Sequence, residues 1–143
     1  MSGALGSVLG RPYATPPNAR LVPHFGRLTL EAAERLLYGL YLVNIHQLRG
    51  GVPPISAALH SGRLRYIRQD PNEHWRSIRE IWQKGGGDCE DLSAAVAAEM
   101  TVRGTPARPT LYRVRPGLAH AVVLDVGANM RVDPSRTGGM GRA

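Results

Sequence analysis

The chain has 143 residues, a length that suits one compact domain with modest appendages and allows a core without covalent staples. Its single cysteine excludes an intramolecular disulfide framework, and it has neither an apolar run long enough to span a bilayer nor a basic, apolar leader. A net charge of +7, with 17 arginines and one lysine against 11 acidic residues, admits contact with nucleic acid or an acidic surface. The arginines are scattered, however, with few aromatics among them to stack on bases, so that reading has weak support.

Residues 1–27 are rich in Gly, Pro and small side chains, and PYATPPNARLVP is extended or irregular because proline blocks helix interiors and central strands. Such an arm cannot form its own core and is either disordered or laid over a partner. A first helix is predicted over Leu30–Leu48, with Thr29 as N-cap, Glu31 and Glu34 near its positive end, and Arg49-Gly50-Gly51 closing it. Leu30, Ala33, Leu37, Leu40, Tyr41, Asn44 and Leu48 share one face, which Leu36 and Val43 widen. His46 lies in this helix and reads as a surface or half-buried histidine rather than a ligand. A short helix over Ile55–His60 follows the Gly50–Pro54 break.

Asp70-Pro71-Asn72-Glu73 carries the strongest helix start: Asp70 caps, Pro71 fits the first helical position, and Glu73 reaches back. The helix it opens is expected to run to Lys84, burying Trp75, Ile78 and Trp82, and to end at Gly85–Gly87. Asp88 then caps a third helix with Leu92, Ala95, Val96 and Met100 on its apolar face and Arg103-Gly104 at its exit. After Thr105-Pro106 the pattern changes to the strand segments PTLYRVRP, HAVVLDVG and MRVDPS, the last two a hairpin. Helices first and a small antiparallel sheet last make an α+β fold. The organisation expected is an arm over 1–27, a domain over 28–136 and a flexible tail over 137–143.

The lone cysteine stands in GGGDCEDLS, at the first turn of the third helix. Unpaired N–H groups and the positive end of the dipole stabilise a thiolate there, so Cys89 is expected to be a nucleophile of lowered pKa. The preceding glycines would let substrate approach, and the Cys89 N–H would help bind an oxyanion. Asp88, Glu90 and Asp91 read as capping and packing residues, although acidic neighbours oppose a thiolate unless they point away. One cysteine without a paired thiol or close histidine makes a poor metal cluster, so no metal is expected.

A nucleophile needs a base, and the base an orienter. Of five histidines, at 24, 46, 60, 74 and 120, only His120 opens a predicted strand downstream of the cysteine. Asp133 follows on the adjacent hairpin strand, where residues at matched ends are neighbours. The helix bearing Cys89 would pack on this sheet with its N-terminus toward His120.

GGGDCEDLSAAV, then HAVVLDV, then RVDPS resembles the transglutaminase-like cysteine peptidase superfamily, particularly its small bacterial and bacteriophage members. Tyr66, Asp70, Trp75 and Glu80 lie in the order of that family's lead-in to the cysteine, so the likeness covers about residues 60–136. The resemblance implies a papain-like core with Cys89 as nucleophile, His120 as general base and acid, and Asp133 as orienter. Trp75 and Gln69 are further candidates to assist the oxyanion. The implied chemistry is hydrolysis of a peptide or isopeptide bond, or transfer of a glutamine acyl group to an amine, without cofactor or metal. Its partners would be a peptide or protein substrate, in the host cytoplasm or a virion.

A second expectation stands beside this one. The fold could serve as a structural component of a phage head, neck or tail, with the N-terminal arm against neighbouring subunits in a homo-oligomer and little or no activity. Neither expectation involves a membrane.

Overall fold

The computed structural model describes residues 29–68, 74–116 and 118–141. Among these residues five helices and five strands follow in order: α1 (Leu30–Arg49), α2 (Ser56–Ser61), β1 (Arg65–Tyr66), α3 (Ile78–Lys84), β2 (Gly86–Gly87), α4 (Cys89–Val102), β3 (Ala107–Arg115), β4 (Leu118–Asp125), β5 (Met130–Val132) and α5 (Pro134–Thr137). The strands β3, β4 and β5 form an antiparallel meander, while β1 and β2 make a two-residue parallel pair. This is the expected α+β arrangement, with α1 and α4 packed together and against the sheet. Among the described residues no helix is long and apolar enough to cross a membrane. The arm over residues 1–27 lies outside them.

α1 starts where its cap predicts, with Thr29 Oγ1 accepting from Ala32 N–H at 3.0 Å. It buries Ala33, Leu37, Tyr41 and Asn44. Leu36 and Val43, expected to widen that face, are instead 45% and 47% exposed, because they lie round the helix from the line Ala33, Leu37, Tyr41 and Asn44 that meets the core. α4 is buried almost all round, so its short side chains Ala94, Ala95, Ala97 and Ala98 let α1 and the sheet close on it from different sides.

Polar side chains on the long helices finish the ends of other elements. Glu99 accepts from the N–H groups of Ile55 at 2.9 Å and Ser56 at 3.1 Å, capping α2, which has no side-chain cap of its own. Asn44 Oδ1 accepts from Ile78 N–H at 2.9 Å, and Gln47 Oε1 from Arg79 N–H at 3.0 Å, at the start of α3. Glu34 takes the Thr110 hydroxyl at 2.6 Å and the Leu111 N–H at 2.9 Å along the free edge of β3.

α3 corrects one expectation. Residues 74–77 are not helical, and the helix begins at Ile78 under a capping box in which Ser77 and Glu80 exchange bonds. The Asp70-Pro71 start lies outside the described residues. Trp75 and Trp82 are half-buried rather than buried, with Trp82 Nε1 donating to Pro53 C=O at 2.8 Å. The stretch after Thr137 carries turns through Gly141, and its Gly138 C=O accepts from Tyr66 N–H at 2.9 Å.

Candidate functional site

The glycines before Cys89 are set by packing. Gly85 ends α3 with φ +92°, a left-handed conformation that side chains with a Cβ rarely adopt. Gly86 and Gly87 are buried, and a Cβ on Gly86 would run into the Arg65 carbonyl. One on Gly87 would meet the Asp91 Cβ at 2.6 Å. They therefore bring β2 onto β1 and the start of α4, and they do not open a path for substrate.

Asp88 caps α4 as predicted, its Oδ1 accepting from Asp91 N–H at 3.1 Å while Asp91 Oδ2 takes Asp88 N–H at 3.2 Å. Asp91 also receives Arg76 N–H at 2.6 Å and the Arg76 guanidinium at 3.1 Å. Burial and the Asp88 charge push the Asp91 carboxyl up, and the N–H donors and the guanidinium oppose them. The chain before α3 is thereby tied to the first turn of α4.

Cys89 occupies that first turn but is only 4% exposed. Its thiol donates to Glu90 Oε2 at 3.2 Å, and Glu90 is 1% exposed. Burial raises the thiol pKa well above its ordinary value, as do the Glu90 and Asp88 charges; the Ala121 N–H beside the sulfur pulls the other way. The lowered pKa expected from the helix terminus is overturned: Glu90 does not point away, and loss of solvent outweighs the dipole. Burial and Asp88 likewise push the Glu90 carboxyl well up. At rest the site holds a neutral thiol against a buried acid.

Sheet register accounts for the contact with Ala121. Leu111 gives its N–H to Glu34, so the facing pair Leu111–Ala121 is not hydrogen-bonded and the Ala121 N–H points to the opposite edge of β4. β5 covers that edge only from Val123, which faces Val132, so the sulfur reaches the strand beyond the end of β5. The neighbouring residue on β4 is His120.

His120 and Asp133 meet as predicted, with Nε2 and Oδ2 at 2.9 Å and side chains 12% and 21% exposed. Continuing the β4–β5 register by one step sets Asp133 opposite Val122, which leaves His120 diagonal to it on the same face. That face is opposite the core-facing Ala119 and Ala121. The imidazole stands edge-on to Tyr112, its cross-strand partner, with ring centroids 5.8 Å apart, and Arg131 lies over the Tyr112 ring at 4.9 Å.

Asp133 also caps α5, its Oδ1 accepting from Ser135 N–H at 3.1 Å. Burial would raise its carboxyl, but the His120 hydrogen bond and charge, with the N–H groups of Ser135 and Arg136, hold it below the usual value. Arg136 Nε adds a contact at 3.6 Å.

Three other sequence candidates sit apart from this chemistry. His46 and His60 are exposed, and His74 pairs with Glu80 at 2.7 Å. His24 and Gln69 lie outside the described residues. No group of three His, Cys, Asp or Glu side chains among the described residues is placed to hold a metal. Sequence reasoning missed the thiol's bond to Glu90; adjacency in the first turn was the one available signal. No protein-family model, curated protein or solved structure matches this chain, so its chemistry is argued from these residues alone.

Proposed function

We propose that the chain is a cysteine acyltransferase or hydrolase of amide bonds on a papain-like core, using Cys89, His120 and Asp133. The observation that carries the proposal is the His120–Asp133 bond at 2.9 Å, because it commits Nε2 and leaves Nδ1 to serve a nucleophile. The thiol lies beside the Ala121 backbone, one residue along β4 from His120, and is the nucleophile taken here.

Because the resting thiol is neutral, attack is concerted with deprotonation. His120 Nδ1 takes the thiol proton as Cys89 Sγ bonds to the amide carbon, and Asp133 stabilises the imidazolium. The Cys89 N–H, in the first turn where helix N–H groups have no intrahelical acceptor, receives the developing oxyanion. His120 then gives its proton to the leaving amine, producing a thioester on Cys89. Water or a second amine attacks that thioester with His120 again as base.

Mass spectrometry of the intact protein after incubation with glutamine-bearing peptides tests this. An acyl adduct on Cys89 is expected, accumulating when the second acceptor is withheld and absent in Cys89→Ala and His120→Ala. No adduct with any amide, in native protein whose thiol still reacts on unfolding, would remove the catalytic reading.

The buried, acid-bound thiol itself favours a second reading. On that reading the fold is retained as a structural part of an assembly, such as a phage head, neck or tail, with little activity. Its expected result is native protein that forms no acyl adduct with any amide yet assembles into a regular homo-oligomer.

A further inference from the structure

The sheet face that carries His120 also carries a cation held close to it. Register sets Arg108, Leu124 and Arg131 in one row across the three strands, and Tyr112 beside His120 in another, four residues along β4. Cross-strand partners and alternate residues share a face, so all five side chains lie on the same side as the imidazole. Arg131 starts on β5, yet its guanidinium carbon stands 4.9 Å from the centre of the Tyr112 ring on β3. Its side chain therefore runs diagonally across the face toward the His120 row.

The arginines around this face are not equivalent. Arg108 shares a groove with Glu31 and Glu34, and Arg136 Nε lies 3.6 Å from Asp133. Asp133 is itself engaged by His120 and Ser135. Arg131 is exposed and forms no ion pair or hydrogen bond among the described residues. The ring holds its long side chain in place while its N–H groups keep no oxygen acceptor. A cation positioned in advance loses less freedom when a ligand arrives, and the planar fork of a guanidinium matches a carboxylate.

The Tyr112 ring also limits how far this cation is from the chemistry. Its centre is 5.8 Å from the His120 ring and 4.9 Å from the guanidinium carbon, which is thus at most 5.8 + 4.9 = 10.7 Å from the imidazole. An extended chain covers that distance in about three residues at ~3.4 Å each.

We infer that Arg131 is a specificity residue of this site, and that the acyl donor is an acidic peptide with a carboxylate within about three residues of the reacting amide. The inference rests on the catalytic reading of Cys89 and His120 and adds to it the class of substrate.

Glutamine peptides that carry glutamate, alanine or lysine two residues from the reacting glutamine test it. Acyl-adduct rates are measured across peptide concentration, and the same peptides bearing a fluorophore are titrated by anisotropy, which needs no chemistry. The glutamate peptide should show a KM and a Kd roughly tenfold below those of the alanine peptide, with the difference shrinking at high salt. Arg131→Gln, at an exposed position and verified as folded by circular dichroism, should bring the two peptides level, and Arg131→Glu should favour the lysine peptide. Equal adduct formation from the glutamate and alanine peptides in the wild type overturns the inference and leaves the catalytic reading standing. No adduct with any peptide, but tighter binding of the glutamate peptide that Arg131→Gln abolishes, removes the catalytic reading and keeps Arg131 as the acidic-peptide contact. A preference that survives Arg131→Gln overturns the inference.

Discussion

Replacing Arg76 by methionine asks how far charge holds the start of α4 in place. The Arg76 side chain is 6% exposed and that of Asp91 0%, so the change strands a buried carboxylate. Breaking a buried pair from one side costs about 3–5 kcal/mol. Asp91 keeps the N–H bonds of Arg76 and Asp88, at 2.6 and 3.2 Å, and methionine fills much of the space of the arginine stem. The expected loss is therefore at the lower end, about 3 kcal/mol near neutral pH.

Its pH dependence has a definite sign. Without the guanidinium, the folded-state pKa of Asp91, already pushed up by burial, rises further above the unfolded value of about 3.9. The added penalty is then complete above the folded pKa, shrinks as pH falls through it, and vanishes below the unfolded value. Urea unfolding of wild type and variant from about pH 8 to about pH 5 measures this difference. A loss below about 1 kcal/mol, or a difference that widens toward acid, would refute the claim that the pair pins the helix start. The same variant should label faster with iodoacetamide, since Cys89 sits on the turn being released.

Asp133→Asn should leave stability within about 0.5 kcal/mol at neutral pH, because asparagine is an equally good N-cap for α5, yet it should abolish acyl-adduct formation by misorienting His120. The depressed Asp133 pKa adds stability above the unfolded value of about 3.9 and loses it as pH falls through the folded one, so the variant should lack that part of the acid transition. Glu90→Gln should move the half-maximal alkylation of Cys89 to lower pH from a wild-type value above about 8.5, and an unmoved midpoint would mean that desolvation alone sets the thiol. Gly87→Ala should cost on the order of 2 kcal/mol in urea unfolding, from overpacking against the Asp91 Cβ at 2.6 Å; a neutral result would show that α4 shifts freely.

What the sequence disclosed depended on how local the determinant is. Thr29 and Asp88 cap the helices they were expected to cap, and turn residues were enough to locate the three strands of the sheet. The His120–Asp133 bond was also legible, since hairpin pairing converts a sequence interval into a contact. The start of α3 was misread because two capping signals compete: Asp70-Pro71-Asn72-Glu73 looks stronger locally, but Ser77 and Glu80 gain support from Asn44 and Gln47, 34 and 32 residues from the atoms they receive. Glu99 over the start of α2 and Glu34 along β3 are equally invisible before the chain folds.

The same distinction explains the nucleophile. Helix position, a local property, favours the thiolate, whereas burial, a property of the whole packing, favours the thiol. Burial wins because Cys89 and Glu90 are 4% and 1% exposed, in a first turn against which Gly87 packs without a side chain. Burial pushes the Glu90 carboxyl and the thiol up together, and negative charge at Glu90 opposes a developing thiolate beside it. Substrate binding at this edge would therefore have to supply what the resting site lacks, by drawing the thiol from Glu90 toward the His120 Nδ1. If it does, reactivity at Cys89 should depend on the acyl group presented far more than on solution pH. A small alkylating agent that makes no such contacts would then understate the activity.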